Sequence, residues 1–199
     1  MKRLLLVRHG QTEWNALRRL QGQTDIALTP EGETQARALA PLIADLAPDR
    51  ALSSDLARAM HTAALLGHED ATPEPRLREQ DLGAWSGRDI ADLLRDVPTE
   101  YHEWRAGRFT PKGGEVWLDF RARVESAIAD ALAEGATTTL LVCHGGVIRA
   151  ALDALLDLPP NRVIPVGPAS LTILARPDTG LRLEAFNLRN TTPDLDAPD

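Results

Sequence analysis

The chain opens with an apolar run that ends abruptly in charge: Leu4-Leu5-Leu6-Val7-Arg8-His9-Gly10-Gln11. Four apolar residues in a row predict a short buried β-strand, so Arg8 and His9 should lie where the strand ends and a turn begins. In an open α/β sheet, ligands bind outside the carboxyl ends of the strands. A histidine there can attack a phosphoryl group while a neighbouring guanidinium holds its oxygens. The alternative is a strand that merely ends in two polar residues.

A second strand has the same ending. Residues 139–143 are again a run of buried type, and His144-Gly145-Gly146 follow directly. A histidine that only fills the core would more often lie inside an element than at the exits of two strands. The recurrence therefore favours a site shared by His9 and His144.

Strands and helices alternate along the chain. Apolar runs predict strands at 3–8, 51–53, 139–143, 171–174 and 181–186. Helical spacing and capping signals predict long helices from the Thr29 cap to about 48, from a Ser54 cap to about 66, over 115–133 and from 145 to about 157, with short ones at 88–95 and 99–106. We expect a three-layer α/β/α fold with a mostly parallel central sheet, and a frayed tail after Asn190.

The predicted helix at 115–133 should pack against the core through a single stripe of apolar residues. Its apolar residues at helical spacing are Val116, Phe120, Val124, Ile128 and Leu132. The middle of the chain, 67–114, is instead rich in proline, glycine and charge, and such a long irregular stretch in a compact domain is usually functional.

Composition limits the classes of function. The chain has 199 residues, of which 43% are hydrophobic and 26% charged, so we expect a single domain over 1–199. The net charge is −7 with no basic block, which argues against nucleic acid as a partner. No apolar run approaches the roughly 20 residues that span a membrane. A lone cysteine, Cys143, fits a reducing compartment, so we expect a cytoplasmic protein. The sequence leaves a homodimer open.

Five motifs, in order along the chain, resemble those of the histidine phosphatase superfamily, the phosphoglycerate mutase-like proteins. They are 6–11 with Asn15, 53–59 with Thr62-Ala63, Leu77-Arg78-Glu79 with Gly83, Trp85 and Gly87, then Pro111, Gly113, Gly114 and Glu115, and finally 142–146. The resemblance implies a phosphoglycerate mutase-like fold, with 80–114 as an acid-loop or cap segment.

The resemblance also implies a role for each matching residue. His9 would be the nucleophile that forms a phosphohistidine, and Glu79 the general acid. Arg8, Arg58 and His144 would hold the phosphoryl group. Further substrate contacts would come from Asn15, Gln21 and Gly22.

The chemistry of these residue types agrees with those roles, although each has a plainer alternative. His9 must be neutral to attack, and the positive charges of Arg8 and Arg58 oppose its protonation. A bound phosphate dianion should instead raise the pKa of His144, so that His144 is protonated when phosphate is bound. Taken alone, Arg58 could be a helix-surface charge, Glu79 a solvated loop carboxylate, and Asn15 a turn cap.

No metal or cofactor is expected. His61, His68 and His102 lack the spacing of metal ligands. Cys143 adjoins His144, but neighbours on a strand point to opposite faces, so we expect a small core residue rather than a nucleophilic pair.

The reaction class is narrowed by length. The resemblance implies that the mutases of the family carry a longer acid-loop region, whereas the segment between Gly83 and Pro111 is short. A shorter cover would expose the phosphohistidine to water and favour a phosphomonoesterase over a cofactor-dependent phosphoglycerate mutase. A catalytically silent phosphate-binding regulatory module is the alternative from another class.

The substrate stays open among small phosphomonoesters. Sugar phosphates, phosphoglycerates and α-ribazole phosphate all fit what the resemblance implies. Four aromatic residues could line a pocket for the leaving group or lie in the core: Tyr101, Trp104, Phe109 and Trp117.

Overall fold

The computed structural model describes residues 2–133, 135–177 and 180–189. Within them, six strands form one sheet in the order β3-β2-β4-β1-β5-β6. The strands are β1 (Lys2–Arg8), β2 (Arg50–Ser53), β3 (Thr72–Pro73), β4 (Thr138–Cys143), β5 (Leu171–Arg176) and β6 (Arg182–Leu188). Only β5 runs against the others, so the expected mostly parallel sheet is confirmed.

Helices cover both faces of this sheet. They are α1 (Glu13–Ala16), α2 (Pro30–Leu46), α3 (Ala57–Leu65), α4 (Ile90–Asp96), α5 (Pro98–Arg105), α6 (Trp117–Ala133) and α7 (Gly145–Leu156). On β1, Leu4 and Leu6 pack with the apolar faces of α6 and α7, while Leu5 and Val7 pack with those of α2 and α3. Because strand neighbours point to opposite faces, one buried strand serves two cores and the fold has three layers.

The segment 80–114 carries a small core of its own. Leu82, Trp85, Leu93, Tyr101 and Trp104 cluster there, and Leu20 from the loop after α1 completes the cluster. Short 3₁₀ turns at Pro75–Leu77 and Gly83–Trp85 lead into α4 and α5. The segment therefore packs as a cap beside the carboxyl end of the sheet.

Several predictions differ from the structure in detail. Ser54 does not cap α3, since Leu56 holds the cap position with no side-chain hydrogen bond. Val116 precedes α6 and is 47% exposed; the buried residue there is Trp117, so the apolar stripe begins one residue later. The short strand β3 was not predicted, because two residues carry no periodic signal. The tail after Asn190 lies outside the described residues.

No helix in the described part of the chain is both long and apolar enough to cross a membrane.

Candidate active site

The site lies where β1 and β4 end side by side. These strands pair in parallel with Arg8 opposite Cys143, so the next residues, His9 and His144, also lie opposite one another. Their ring centroids are 5.2 Å apart, and both side chains are buried. The two strand exits that the sequence singled out thus meet in one place.

Hydrogen bonds determine which nitrogen of His9 has a lone pair available to act as a nucleophile. Nδ1 lies 2.7 Å from the carbonyl oxygen of Gly10, which can only accept, so Nδ1 carries the proton. Nε2 then keeps its lone pair and accepts from Nε–H of Arg58 at 3.2 Å. The ring is therefore held in the tautomer whose Nε2 can attack an electrophile.

The electrostatics of the site keep His9 neutral. Burial, followed by the positive charges of Arg58 and Arg8, lowers the pKa of His9 well below its usual range. The prediction that the two arginines oppose protonation is right in direction, but burial is the larger cause. A neutral imidazole is the form that can act as a nucleophile.

Backbone carbonyls help to hold both arginines in place. Arg58, fully buried on α3, donates to the carbonyls of Thr24 at 2.7 Å and Gly22 at 2.8 Å. Burial lowers the pKa of Arg58 to about 10, which leaves it charged at neutral pH. Arg8 donates to the carbonyl of Val166 and is likewise buried. The carbonyls that hold Arg58 are neutral, so they leave its positive charge available for an anion.

Ser54 holds His144, although the sequence predicted a different role for this serine. Nε2 of His144 lies 2.8 Å from Oγ of Ser54, the residue that was expected to cap a helix. Burial, Arg58, His9 and Arg8 lower the pKa of His144, in that order of importance, and Arg123 adds a smaller effect. His144 is therefore neutral while the site holds no anion. No side-chain hydrogen bond to its Nδ1 is found among the described residues.

Glu79 is half-buried and aimed into the same pocket. Its Oε1 accepts from the backbone N–H of Gln80 at 2.8 Å, and its Oε2 from that of Gly146 at 2.9 Å. A Cβ at position 146 would overlap Oε1, so the second glycine after His144 is required for the carboxylate to fit. The alternative of a freely solvated loop carboxylate does not describe this side chain.

Arg123 on α6 fastens the loop that carries Glu79. Its Nη1 donates to the carbonyls of Arg76 at 2.7 Å and Arg78 at 2.8 Å, and its Nη2 donates to that of Glu79 at 3.0 Å. Glu115 accepts from its Nε and Nη2 at 2.6 and 2.8 Å. One guanidinium thus ties the acid loop to the long helix.

The three residues expected to contact substrate are placed differently. Gln21 and Gly22 line the pocket beside His9, and Gly22 adopts a positive φ of 53° that favours glycine. Asn15 lies buried at the start of α1, where Oδ1 accepts from the N–H of Thr12 at 3.0 Å. It is thus the turn cap that the residue-level reasoning offered, while no partner for its Nδ2 is found in the described part of the chain.

The sequence reasoning missed part of the pocket wall. Gln80 and Arg149 line the pocket, as do Leu20 and Leu82. Trp104 is both wall and core, since it faces the pocket, is 3% exposed, and donates from Nε1 to Oε1 of Gln80 at 3.1 Å. No motif marked Gln80 or Arg149, because both reach the site only through the packing of the cap and of α7.

The described residues do not indicate a metal centre or a reactive thiol at the site. Over residues 2–133, 135–177 and 180–189, no group of three or more His, Cys, Asp or Glu could hold a metal ion. Cys143 is fully buried in the core beneath α6 and α7, and burial raises the pKa of its thiol. As expected, it faces away from the site and does not pair with His144.

Comparison with known families gives a match over nearly the whole chain. A family model described as histidine phosphatase superfamily (branch 1) matches residues 4–189. The glucosyl-3-phosphoglycerate phosphatase of Mycobacterium tuberculosis is 39% identical over 171 residues, which cover 79% of this chain and 77% of that protein. A probable phosphoglycerate mutase GpmB of Proteus mirabilis is 37% identical over 169 residues, covering 80% and 77%.

Solved structures agree with the sequence comparisons. A mycobacterial glucosyl-3-phosphoglycerate phosphatase in complex with VO3 superposes with a TM-score of 0.87 at 37% identity, over 94% of this chain and 99% of that one. The expected phosphoglycerate mutase-like α/β fold is therefore confirmed.

Proposed function

Because the chain belongs to the histidine phosphatase superfamily, we propose that it cleaves phosphomonoesters through a phosphohistidine formed on His9. The chain is a phosphoric monoester hydrolase of that family. The observation that carries the mechanism is the lone pair on Nε2 of His9, which lies 3.2 Å from Nε of Arg58 in a pocket that Arg8 also lines. A phosphoryl group bound by the two guanidinium groups would meet that lone pair.

In the first step, Nε2 of His9 attacks phosphorus and the bond from phosphorus to the ester oxygen breaks. The leaving oxygen takes a proton from the carboxyl group of Glu79, so that a neutral alcohol departs. Arg8 and Arg58 stabilise the charge on the phosphoryl oxygens, which is the main demand of phosphoryl transfer.

In the second step, water attacks the phosphohistidine and gives a proton to the carboxylate of Glu79. The nitrogen–phosphorus bond breaks, Nε2 recovers its lone pair, and inorganic phosphate leaves. His144, whose Nδ1 faces no described partner, takes up a proton once the phosphate dianion is bound and donates to it. Gln21 and Gly22 complete the contacts, and Nδ2 of Asn15, which has no partner among the described residues, supplies a further donor.

We propose that the reaction needs no metal or other cofactor, because two buried arginines supply the positive charge that a metal would otherwise provide. Prolonged dialysis against a strong chelator should leave the rate unchanged. A loss that Mg²⁺ or Zn²⁺ restores would contradict this part of the proposal.

The substrates are small phosphorylated metabolites. The similarity to glucosyl-3-phosphoglycerate phosphatase supports sugar phosphates and phosphoglycerates, and α-ribazole phosphate stays a candidate. The alternative of a phosphoglycerate mutase is favoured by one observation, the similarity to GpmB proteins. A silent binding module is disfavoured, because the nucleophile, the acid and both arginines converge on one pocket.

Hydrolysis and mutase activity can be separated in one assay. With 3-phosphoglycerate and a bisphosphoglycerate primer, free phosphate should form far faster than 2-phosphoglycerate. The opposite ratio would make the chain a mutase despite its short cap segment.

The cellular setting is also a proposal. We infer a cytoplasmic protein of one domain, with 80–114 as its cap, from the single reduced thiol and from the packing of the cap against Leu20. Its partner is the small phosphomonoester; no nucleic acid or membrane partner is proposed, and a homodimer is compatible with the sequence.

A further inference from the structure

The orientation of one peptide group decides which tautomer His9 adopts. The carbonyl oxygen of Gly10, which accepts from Nδ1 of His9 at 2.7 Å, belongs to the peptide group between Gly10 and Gln11. If that group turned over, it would present the N–H of Gln11 to Nδ1 in place of the carbonyl. Nδ1 would then keep its lone pair, and the ring proton would lie on Nε2. A protonated Nε2 has no lone pair with which to attack phosphorus.

The residue at position 10 gives this peptide group unusual freedom to turn. A Cβ at Gly10 would overlap the carbonyl oxygen of Gly32 in the first turn of α2, so only glycine fits there. Glycine lacks the side chain that restricts φ and ψ in other residues. Contacts from elsewhere in the fold must therefore fix the backbone beside His9.

Hydrogen bonds from two helices hold the peptide groups on either side of Gly10. On the amino side, the N–H of Gly10 donates to Oγ1 of Thr62 on α3 at 3.1 Å. On the carboxyl side, the N–H of Gln11 donates to Oε1 of Gln35 on α2 at 3.1 Å. The second bond holds the same peptide group whose carbonyl faces His9. One end of that group is thus bound to Gln35 and the other to Nδ1.

The side-chain amide of Gln35 is itself oriented for this contact. Its Nε2 donates to Oε1 of Glu31, one helical turn earlier, at 3.2 Å. Because a carboxylate only accepts, the nitrogen of the amide lies on the Glu31 side and its oxygen faces Gln11. The start of α2 is also attached to the loop, since the N–H of Thr29 donates to the carbonyl oxygen of Gln11 at 2.9 Å. The acceptor for the N–H of Gln11 is therefore set in advance.

We propose that Gln35 is a positioning residue for the reaction, which holds the Gly10–Gln11 peptide group in the orientation that leaves the lone pair of His9 on Nε2. This inference rests on the proposed function, since it takes Nε2 as the nucleophile. Gln35 is not among the residues that line the pocket, so it acts through the peptide group rather than on the substrate.

The test measures the tautomer of His9 directly in the free enzyme. Nitrogen-15 spectra of histidine-labelled protein distinguish a protonated ring nitrogen from an unprotonated one, and His9→Asn assigns the signals. The wild type should carry the ring proton of His9 on Nδ1. Gln35→Met keeps the length of the side chain and a high helix propensity but removes the acceptor. In this variant a measurable share of the proton should move to Nε2.

The rates should follow the tautomer. kcat/KM reports the transition state of the attack relative to free enzyme and substrate, so Gln35→Met should lower it about 10-fold, the order of magnitude of one hydrogen bond. The loss should be equal on glycerol 3-phosphate and p-nitrophenyl phosphate, because the same nucleophile attacks both.

Two further variants separate the bond to Gln11 from the bond to Glu31. Glu31→Ala removes only the exposed partner of the Gln35 amide, and it should leave the tautomer and kcat/KM unchanged. The double variant Glu31→Gln/Gln35→Glu exchanges the amide and the carboxylate, so that an acceptor oxygen again faces the N–H of Gln11. It should restore the wild-type tautomer and kcat/KM.

A wild-type tautomer in Gln35→Met, or a wild-type kcat/KM in spite of a shifted tautomer, would overturn the inference while leaving the proposed function intact. Failure of the proposed function would look different, because p-nitrophenyl phosphate would then be hydrolysed without dependence on His9.

Discussion

The rings of His9 and His144 lie edge to face, with centroids 5.2 Å apart and planes inclined by 62°. They meet because each follows a strand of a parallel pair whose register places Arg8 opposite Cys143. Among the described residues, the hydrogen-bond partners of the two rings are neutral or cationic, and the charges of Arg8 and Arg58 oppose protonation of both. The two rings are thus neutral, and in the proposed mechanism one acts as the nucleophile and the other as a proton donor to the bound anion.

The general-acid role that we propose for Glu79 predicts that activity depends on the leaving group. An alkoxide needs a proton in the transition state, whereas p-nitrophenolate leaves with much less help. General acid catalysis contributes roughly 10²–10⁴-fold. Glu79→Gln should therefore lose about that much kcat/KM on glycerol 3-phosphate and markedly less on p-nitrophenyl phosphate.

Arg58→Ala is the matched control for that experiment. Both substrates share the phosphoryl charge that Arg58 is proposed to stabilise, so kcat/KM should fall about equally on both. If Glu79→Gln lowered kcat/KM equally on the two substrates, the general acid would be another group. The nearest candidates would then be Asp81 on the same loop and His144 across the site.

The glycine at position 146 predicts a contrast between neighbouring alanine variants. A Cβ on Gly146 would overlap Oε1 of Glu79, whereas on Gly145 the nearest atom would be Cζ of Arg8 at 3.7 Å, an ordinary contact. Gly146→Ala should therefore displace the carboxylate and lower kcat/KM on glycerol 3-phosphate by about 100-fold, the scale of a misplacement near 1 Å. The kcat/KM of Gly145→Ala on glycerol 3-phosphate should stay within about threefold of the wild-type value.

The folding stability of these glycine variants should not decrease in parallel with their kcat/KM. Alanine is favoured over glycine in a helix by roughly 0.5–1 kcal/mol, so Gly145→Ala should unfold at an equal or higher denaturant concentration. Similar activities for the two variants would show that Glu79 is not held as described.

Replacing Arg123 should give the same dependence on the leaving group as replacing Glu79, although Arg123 lies at a distance from the substrate. It touches the backbone of the acid loop rather than the pocket, so Arg123→Met should act through the position of Glu79. We expect a loss of about 10- to 100-fold on glycerol 3-phosphate and a smaller one on p-nitrophenyl phosphate. Arg121→Met is the control, because Arg121 on the same helix pairs with Asp153 instead. Losses that simply multiply in the double variant with Glu79→Gln would contradict the account.

The two buried histidines predict how stability depends on pH. Their pKa values are held well below 6.5 in the folded protein, whereas the unfolded chain takes up protons near pH 6.5. Protons therefore favour the unfolded state, and the free energy of unfolding should fall as pH drops below 6.5. At pH 5.5 the loss should be on the order of 1 kcal/mol for each histidine.

Denaturant titrations in phosphate-free buffer between pH 7.5 and 5.5 measure this effect. That window lies above the range of carboxylates such as Asp55 and Glu74, whose pKa values are lowered by their arginine partners. In His9→Asn, the free energy of unfolding should fall over this pH range by about half as much as in the wild type. Stability that stays constant or rises toward pH 5.5 would contradict the neutral pair.

Sequence alone located the centre of the site because the signal was local. A buried run followed by histidine and glycine fixes His9 and His144 at strand exits, and parallel pairing brings such exits together. Arg58 and Glu79 had no such local signal, since a helix arginine and a loop glutamate are ordinarily solvated. Their places were expected from the family resemblance, and the structure brings both to His9's pocket.

What the sequence could not supply depends on contacts between distant segments. Arg149 reaches the pocket through the packing of α7 against two tryptophans, and Arg123 reaches the acid loop from the long helix. Ser54 was misread as a helix cap because serine before a helical run is usually one. Its hydroxyl instead meets His144, which lies 90 positions along the chain.

The most direct test of the account is to trap the phosphoryl group on His9. Glu79→Gln is the best variant for this test, because p-nitrophenyl phosphate should still phosphorylate His9 while the hydrolysis step lacks its proposed base. We expect a burst of p-nitrophenolate equal to the enzyme present. A quench in alkaline detergent should then yield one acid-labile, base-stable phosphoryl group on the peptide containing His9, and none in the Glu79→Gln/His9→Ala double variant. Phosphoryl label on another residue, or full activity in His9→Ala, would contradict the account.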